Sequence, residues 1–195
     1  MGKKPDIIIS NLLENEIKVI NEECCLVYDC EINDSNLIFE DLTKWWGQRP
    51  EGKLLDRMKK SIEENTIEKR MFNIYYTNIY KHYNGNLPSL IPQVYLHYDP
   101  KTAVELHNKK RLINQRMDFL ILVNGHRIII ELDGKHHYSI DEKASVELYS
   151  QLVSYDRDMK LLGYDIYRFG GFEFTKDDIK EKIISFFKEL IEKYW

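Results

Sequence analysis

Apolar residues gather into short runs along this chain, and the spacing within each run distinguishes strand from helix. Residues 117–123 (MDFLILV) and 126–132 (HRIIIEL) are separated only by Asn124-Gly125. Two β-rich runs around Asn-Gly are the strongest short-range signal for a β-hairpin. Residues 51–64 are amphipathic and helical. Asn65 and Glu68 resemble a capping box that starts a second helix running to about Asn84, with Ile67, Met71, Ile74 or Tyr75, and Ile79 on its buried face. Asn84-Gly85-Asn86 stops it. A short apolar run, 90–98, reads as a strand beginning near Pro92. Residues 145–162 predict a helix with Val146, Tyr149, Leu152, Val153 and Met159 in one stripe. Residues 164–169 predict a strand. A final helix to Trp195, capped at 175–178, carries apolar residues at 179, 183, 186, 187, 190, 191 and 194.

From residue 66 onward the predicted order is therefore α, β, β, β, α, β, α. The first 50 residues, with short apolar runs ending in Trp45-Trp46-Gly47, suggest a small N-terminal α/β lobe (1–50) ahead of a main domain (51–195). Trp45 and Trp46 are read as packing residues. The fold class is α/β, with a mixed sheet flanked by helices.

Composition narrows the classes of function. With 43% hydrophobic and 31% charged residues, the 195-residue chain is that of a globular protein able to bury a core. No run approaches the length needed to cross a bilayer, so no membrane partner is expected. The apolar stretch after the first lysines is too short for a signal peptide and is broken by Asn11 and Glu14. Cys24, Cys25 and Cys30 read as reduced thiols of a cytoplasmic protein, buried in a strand within CCLVYDC, since their spacing does not suit a zinc knuckle. A net charge of −4 excludes a generic polyanion binder. The basic residues of 101–115, Lys101, Lys109, Lys110 and Arg111, read as a solvated connection that could face a phosphate backbone.

The hairpin carries the chemistry. With Asn124 and Gly125 as the two loop residues, Val123 opposes His126 and Asp118 falls across from Glu131. Directly opposed residues share a face, with Cβ atoms about 4.5–5.5 Å apart. Asp133, two residues beyond Glu131, joins that face, with Arg116 as its cross-strand partner. Opposed carboxylates repel and raise one another's pKa, an arrangement that calls for a cation; an all-oxygen set suits Mg²⁺ or Mn²⁺. Asp133-Gly134 read alone is a turn that Arg116 neutralises. Asp156, on the apolar side of the helix 145–162, needs a partner, either Lys160 or an arginine from the sheet; structural pairing and support of a site both stay open. His137 or its neighbour His136 could act as a general base, and Lys135 could stabilise charge on phosphate.

At these residues the chain resembles the PD-(D/E)xK, or restriction-endonuclease-like, superfamily, and within it the branch of very short patch repair endonucleases. Arg116-Met117-Asp118-Phe119 is similar to that family's acidic residue at the start of its second core strand. Ile130-Glu131-Leu132-Asp133-Gly134-Lys135-His136-His137 is similar to the branch's Glu-x-Asp-Gly-x-x-His. Asp156-Arg157-Asp158, Gly163-Tyr164 and Tyr167-Arg168-Phe169 resemble its closing helix and strand. The resemblance spans about residues 66–172 and implies an αβββαβ core. Glu68 stands where such families often carry a further acid, with the capping role as its alternative, and Gln93 where they often carry glutamine. Asp133 occupies the position of the superfamily's usual lysine, and Lys135 is the candidate replacement.

The resemblance implies a Mg²⁺- or Mn²⁺-dependent endonuclease that hydrolyses phosphodiesters of double-stranded DNA, in restriction, repair or phage defence. Asp118, Glu131 and Asp133 would be metal ligands. Glu68, Lys135 and His137 would assist catalysis, and Arg116, Gln93 and Arg157 would contact substrate. A homodimer is one arrangement for cutting both strands. Two other readings stand beside it: an RNase or structure-specific nickase, and a catalytically inactive nucleic-acid- or protein-binding module.

Overall fold

The computed structural model describes residues 7–11, 16–19, 26–28, 30, 32, 36–50, 52–83, 85–95, 116–134, 139–140 and 143–195. It is an α/β protein built on a four-stranded mixed sheet flanked by helices. The sheet contains β3 (Ile91–Tyr95), β4 (Arg116–Val123), β5 (His126–Asp133) and β8 (Tyr164–Gly170), side by side in that order. The β3–β4 and β4–β5 pairs are antiparallel and β5–β8 is parallel. Two small hairpins stand apart from it: β1 (Ile7–Asn11) with β2 (Glu16–Val19), and β6 (Ser139–Ile140) with β7 (Lys143–Ala144). Pro92 lies in an edge strand, where its missing N–H costs least.

The Asn-Gly hairpin forms as its sequence predicts. Asn124 (φ 45°) and Gly125 (φ 79°) both take the left-handed conformation that a two-residue turn of this type demands. Asn36 fixes the turn from outside: its Oδ1 accepts from the Asn124 backbone N–H at 2.5 Å, and its Nδ2 donates to Asn124 Oδ1 at 3.2 Å. Leu37 N–H donates to Leu122 O, which draws α1 (Phe39–Trp46) onto the sheet.

Each face of the sheet has its own apolar layer. On one side Phe119, Ile121, Ile128 and Ile130 meet α3 (Thr66–Ile74) through Met71 and Phe72, and α6 (Ile179–Tyr194) through Ile183 and Phe187. Leu42 and Trp46 of α1, and Leu54 and Met58 of α2 (Leu54–Ser61), join the same core. On the other side Leu120, Ile129 and Tyr164 meet α5 (Val146–Leu161) through Tyr155 and Met159. Because β4 and β5 lie in the middle of the sheet and are covered on both faces, their central residues are apolar on both, as buried strands require.

Four expectations need correction. The stripe on α5 is shorter than its periodicity suggested: Val146 and Tyr149 are exposed, and Tyr155 and Met159 carry the packing. Leu26–Tyr28 form no strand, and Leu26, Val27 and Cys30 are exposed; Cys24 and Cys25 lie outside the described residues. The helix begun at Thr66 does not stay α-helical, because Tyr75–Ile79 widens into a π-turn before α4 (Tyr80–His82). Finally, Asn65 caps that helix, accepting from Ile67 N–H and Glu68 N–H, but Glu68 does not return the bond: the Asn65 N–H goes to Ile62 O. The basic stretch 101–115 and residues 96–98 of the expected strand lie outside the described residues. Among the described residues, no helix is long and apolar enough to cross a membrane.

Phe187 is the test of this packing. Its ring is fully buried, 4.7 Å from that of Tyr75 and 5.2 Å from that of Phe186. Phe187→Ala should cost about 3–5 kcal/mol of unfolding free energy in urea titration. Leu161→Ala, on an 87% exposed residue, should stay within about 0.5 kcal/mol. Equal effects would place the core elsewhere.

Candidate active site

The β4–β5 ladder runs in register from Val123↔His126 to Phe119↔Ile130. At the next position the side chain of Asp118 takes over from the backbone: its Oδ2 accepts from Leu132 N–H at 2.9 Å. The alternation of faces breaks at the same place. Met117 and Leu120, three residues apart, both lie under α5, where a regular strand would put them on opposite sides. Across the other edge of β4, Gln93 adopts φ 57°, a left-handed conformation for a residue that is not glycine. The β3–β4 register steps over the Gln93–Asp118 position. Backbone held in this region costs about 1–3 kcal/mol and concentrates at functional sites.

Glu131 and Asp133 follow on β5 and point to the α5 side, with Ile129. Both are buried, at 6% and 8% exposure. The parallel register places Glu131 beside Arg168 of β8. The Arg168 guanidinium reaches Asp133 Oδ1 at 2.8 Å with Nη1, and grips Asp156 of α5 with Nη2 (2.7 Å) and Nε (2.9 and 3.2 Å to its two oxygens). The partner of Asp133 and Asp156 is thus an arginine from the sheet. The pairing expected from Arg116 is made by Arg168, because β8 lies alongside β5 at the level where the β4–β5 register has ended.

Glu131 remains as the exception within this network. Its Oε1 is buried and has no hydrogen-bond partner among the described residues. Burial pushes its carboxyl well above the usual range, and Asp118 adds to that; Arg168 pulls the other way, and Asp133 and Asp156 push further up. Tyr155 lies over the same cluster, its ring 5.6 Å from the Arg168 guanidinium and its hydroxyl also buried without a partner among the described residues.

Glu68 joins from α3. It is 2% exposed, and its two oxygens accept from Asn65 Nδ2 and Gln93 Nε2, each at 2.5 Å. Burial and the nearby Asp118 raise its pKa to about 7, against the opposing pull of Gln93, Arg116 and Asn65. Arg116 thus lies near enough to favour the charged form of Glu68. Arg157 is exposed and donates to Ser154 Oγ at 3.4 Å. Lys135 and His137 lie outside the described residues. Of the sequence-predicted set, Glu68, Gln93, Arg116, Asp118, Glu131 and Asp133 come together at one end of the sheet. Tyr155 is the participant that sequence reasoning missed; its position one residue before Asp156 was the available signal.

Whether this donor set suits a divalent ion can be judged from its atoms. Among the described residues, no three His, Cys, Asp or Glu side chains form a ready-made cage. Mg²⁺ does not require one, since it keeps several waters and is held by one or two carboxylates together with substrate oxygens. Glu131, with an unpartnered oxygen, and Asp118 beside it supply that hard, anionic pair, and the residues fit the ion. No family model, curated protein or solved structure matches the chain.

Two measurements follow from these contacts. A carboxyl raised from 4.5 to about 7 keeps its proton longer in the folded than in the unfolded chain, so its contribution to stability falls as pH rises across that interval. Glu68→Gln should remove that falling limb: its stability relative to wild type should rise between pH 4.5 and 7 in urea melts, and a constant difference would reject the assignment. Arg168→Ala strands two carboxylates and should cost about 3–5 kcal/mol, of which Arg168→Lys, lacking the planar fork, recovers only part.

Proposed function

We propose that this chain is a metal-dependent phosphodiester hydrolase acting on DNA, of the PD-(D/E)xK type. The observation that carries the reading is the Glu131 carboxylate, buried with one oxygen unpartnered and set beside Asp118 where the hairpin opens. Burying such a group without a counter-ion is costly, and a divalent cation removes the cost. The resemblance in motif order, together with a helix, three strands, a helix and a parallel fourth strand in that sequence, supports the same reading.

Asp118 and Glu131 would hold Mg²⁺ or Mn²⁺. The chemistry supplied by the bound ion is a lower pKa for its water and compensation for charge building on the phosphate. The residues of the chain do the rest. Asp133 holds Arg168, and Arg168 in turn holds Asp156, which fixes the wall of the site beside Glu131. Glu68, with a pKa of about 7, is matched to accepting a proton from the attacking water near neutral pH. Gln93 and Asn65 set its orientation. A cytoplasmic setting and a task in restriction, repair or phage defence belong to this proposal.

One observation favours a second reading. Asp118, Asp133 and Asp156 are each engaged by a donor of the protein itself, the state a non-catalytic nucleic-acid-binding module would settle into. The two readings part on cleavage. Purified protein incubated with supercoiled plasmid, linear duplex or RNA, with Mg²⁺, Mn²⁺ or EDTA, should cut DNA only with metal. Asp118→Ala and Glu131→Gln should each lower the rate by at least about a hundredfold, the scale on which a single electrostatic or proton-transfer group is felt. Cutting that persists in EDTA, or in Asp118→Ala, would overturn the site. Cleavage of RNA alone would reassign the substrate, and tight binding without cutting would favour the second reading.

A further inference from the structure

The turn that follows β8 presents an exposed aromatic ring at the edge of this site. Phe172 is 68% exposed, yet the turn that carries it is tied by hydrogen bonds at Gly170, Phe172 and Phe174. Gly170 pairs with Asp133 across the β5–β8 register, and its N–H donates to Glu173 Oε1 at 2.8 Å. A Cβ on Gly171 would stand 3.1 Å from Asp133 O, tighter than most such contacts, so the turn lies close against the end of β5. Phe174 is buried, Arg70 Nη1 of α3 donates to Phe174 O at 2.8 Å, and Thr175 Oγ1 donates to Phe172 O at 2.7 Å. The Lys176 ammonium sits 4.4 Å from the Phe172 ring centroid.

A lone exposed apolar residue is ordinary on a protein surface. This one differs in three respects: it is a ring, it is held on a rigid turn, and it stands two residues past the position paired with Asp133, with a cation against it. An aromatic face beside an ammonium is the pair of contacts that binds one unpaired nucleotide, the base by stacking and the phosphate by charge. We propose that Phe172 and Lys176 form a stacking contact for an unpaired base of the DNA strand next to the scissile phosphate. The inference rests on the reading of the chain as a DNA-acting hydrolase and narrows its substrate to DNA with an unpaired or extruded base. On binding, the base takes the ring and the ammonium turns from the ring to phosphate.

The test is read in binding, with EDTA present so that no cleavage occurs. Fluorescein-labelled single-stranded DNA, a fully paired duplex, and the same duplex with one extra unpaired base are titrated with the full chain by anisotropy. Phe172→Ala should weaken binding of the single strand and the unpaired-base duplex by about five- to a hundredfold, leaving the paired duplex unchanged. Phe172→Trp should bind like wild type. Lys176→Ala should lower the slope of log affinity against log salt by about one. An exposed ring contributes little to folding, so the melting temperature of Phe172→Ala should match wild type. Undiminished binding by Phe172→Ala, an equal loss on paired and unpaired DNA, or no binding of any of the three DNAs by wild type would each overturn the proposal. If stacking is seen and metal-dependent cutting is not, the contact stands and hydrolysis falls.

Discussion

A single guanidinium holds the working end of this sheet together. Glu131, Asp133 and Asp156 converge on the α5 side, and Arg168 meets two of them at hydrogen-bond distance while lying beside the third. Carboxylates this close in a partly buried setting repel one another unless a cation stands between them. Arginine suits the position because its planar fork can grip the Asp156 carboxylate with Nε and Nη2 and still extend Nη1 to Asp133. The parallel β5–β8 register is what makes this reach available: it sets Glu131 beside Arg168 and Asp133 beside Gly170, so the arginine lies between a buried acid and the end of the strand. The packing of Tyr155 and Met159 then brings Asp156 down from above.

The opposite wall depends on irregular backbone. Asp118 reaches Leu132 N–H because the β4 alternation breaks, and Gln93 reaches Glu68 from a left-handed backbone. The helix bearing Glu68 is anchored from its π-turn, where the Tyr75 hydroxyl donates to Pro88 O at 2.6 Å and that of Tyr76 to Leu90 O at 3.2 Å. Both bonds fall just ahead of β3, the strand that carries Gln93. A π-turn rotates the residues after it relative to those before it, so the same helix can pin β3 with its tyrosines and aim Glu68 at the sheet. Strain on one strand and a widened turn on one helix thus act on a single carboxylate.

What could be read in the sequence were the features that local chemistry decides. Asn124-Gly125 determines a turn, the turn determines a register, and the register puts residues 118 and 131 at one end of one hairpin. Asn65 capped its helix, and the buried positions of α6 followed their period. The partner of Asp156 could be narrowed to a lysine on its own helix or an arginine from the sheet, but not chosen, because the choice turns on which strand lies next to β5. The positive φ of Gln93 carries no sequence mark, since no glycine stands there. The exposure of Val146 and Tyr149 was illegible for the same kind of reason: periodicity reports which residues share a helix face, not how much of that face is covered.

The acidic balance of the chain weighs less against a DNA-acting role than its formal value suggests. The net charge of −4 counts every carboxyl as ionised. Burial and Asp118 push the Glu131 carboxyl well above the usual range, and Glu68 is pushed up to about 7, so Glu68 contributes less than a full negative charge near neutral pH. Asp133 and Asp156 face Arg168 within the fold rather than solvent. At this end of the sheet Asp118, Asp133 and Asp156 are each engaged by a donor of the protein itself. A polyanion approaching here meets a weaker repulsion than the composition implies, and a bound divalent cation would turn it into attraction.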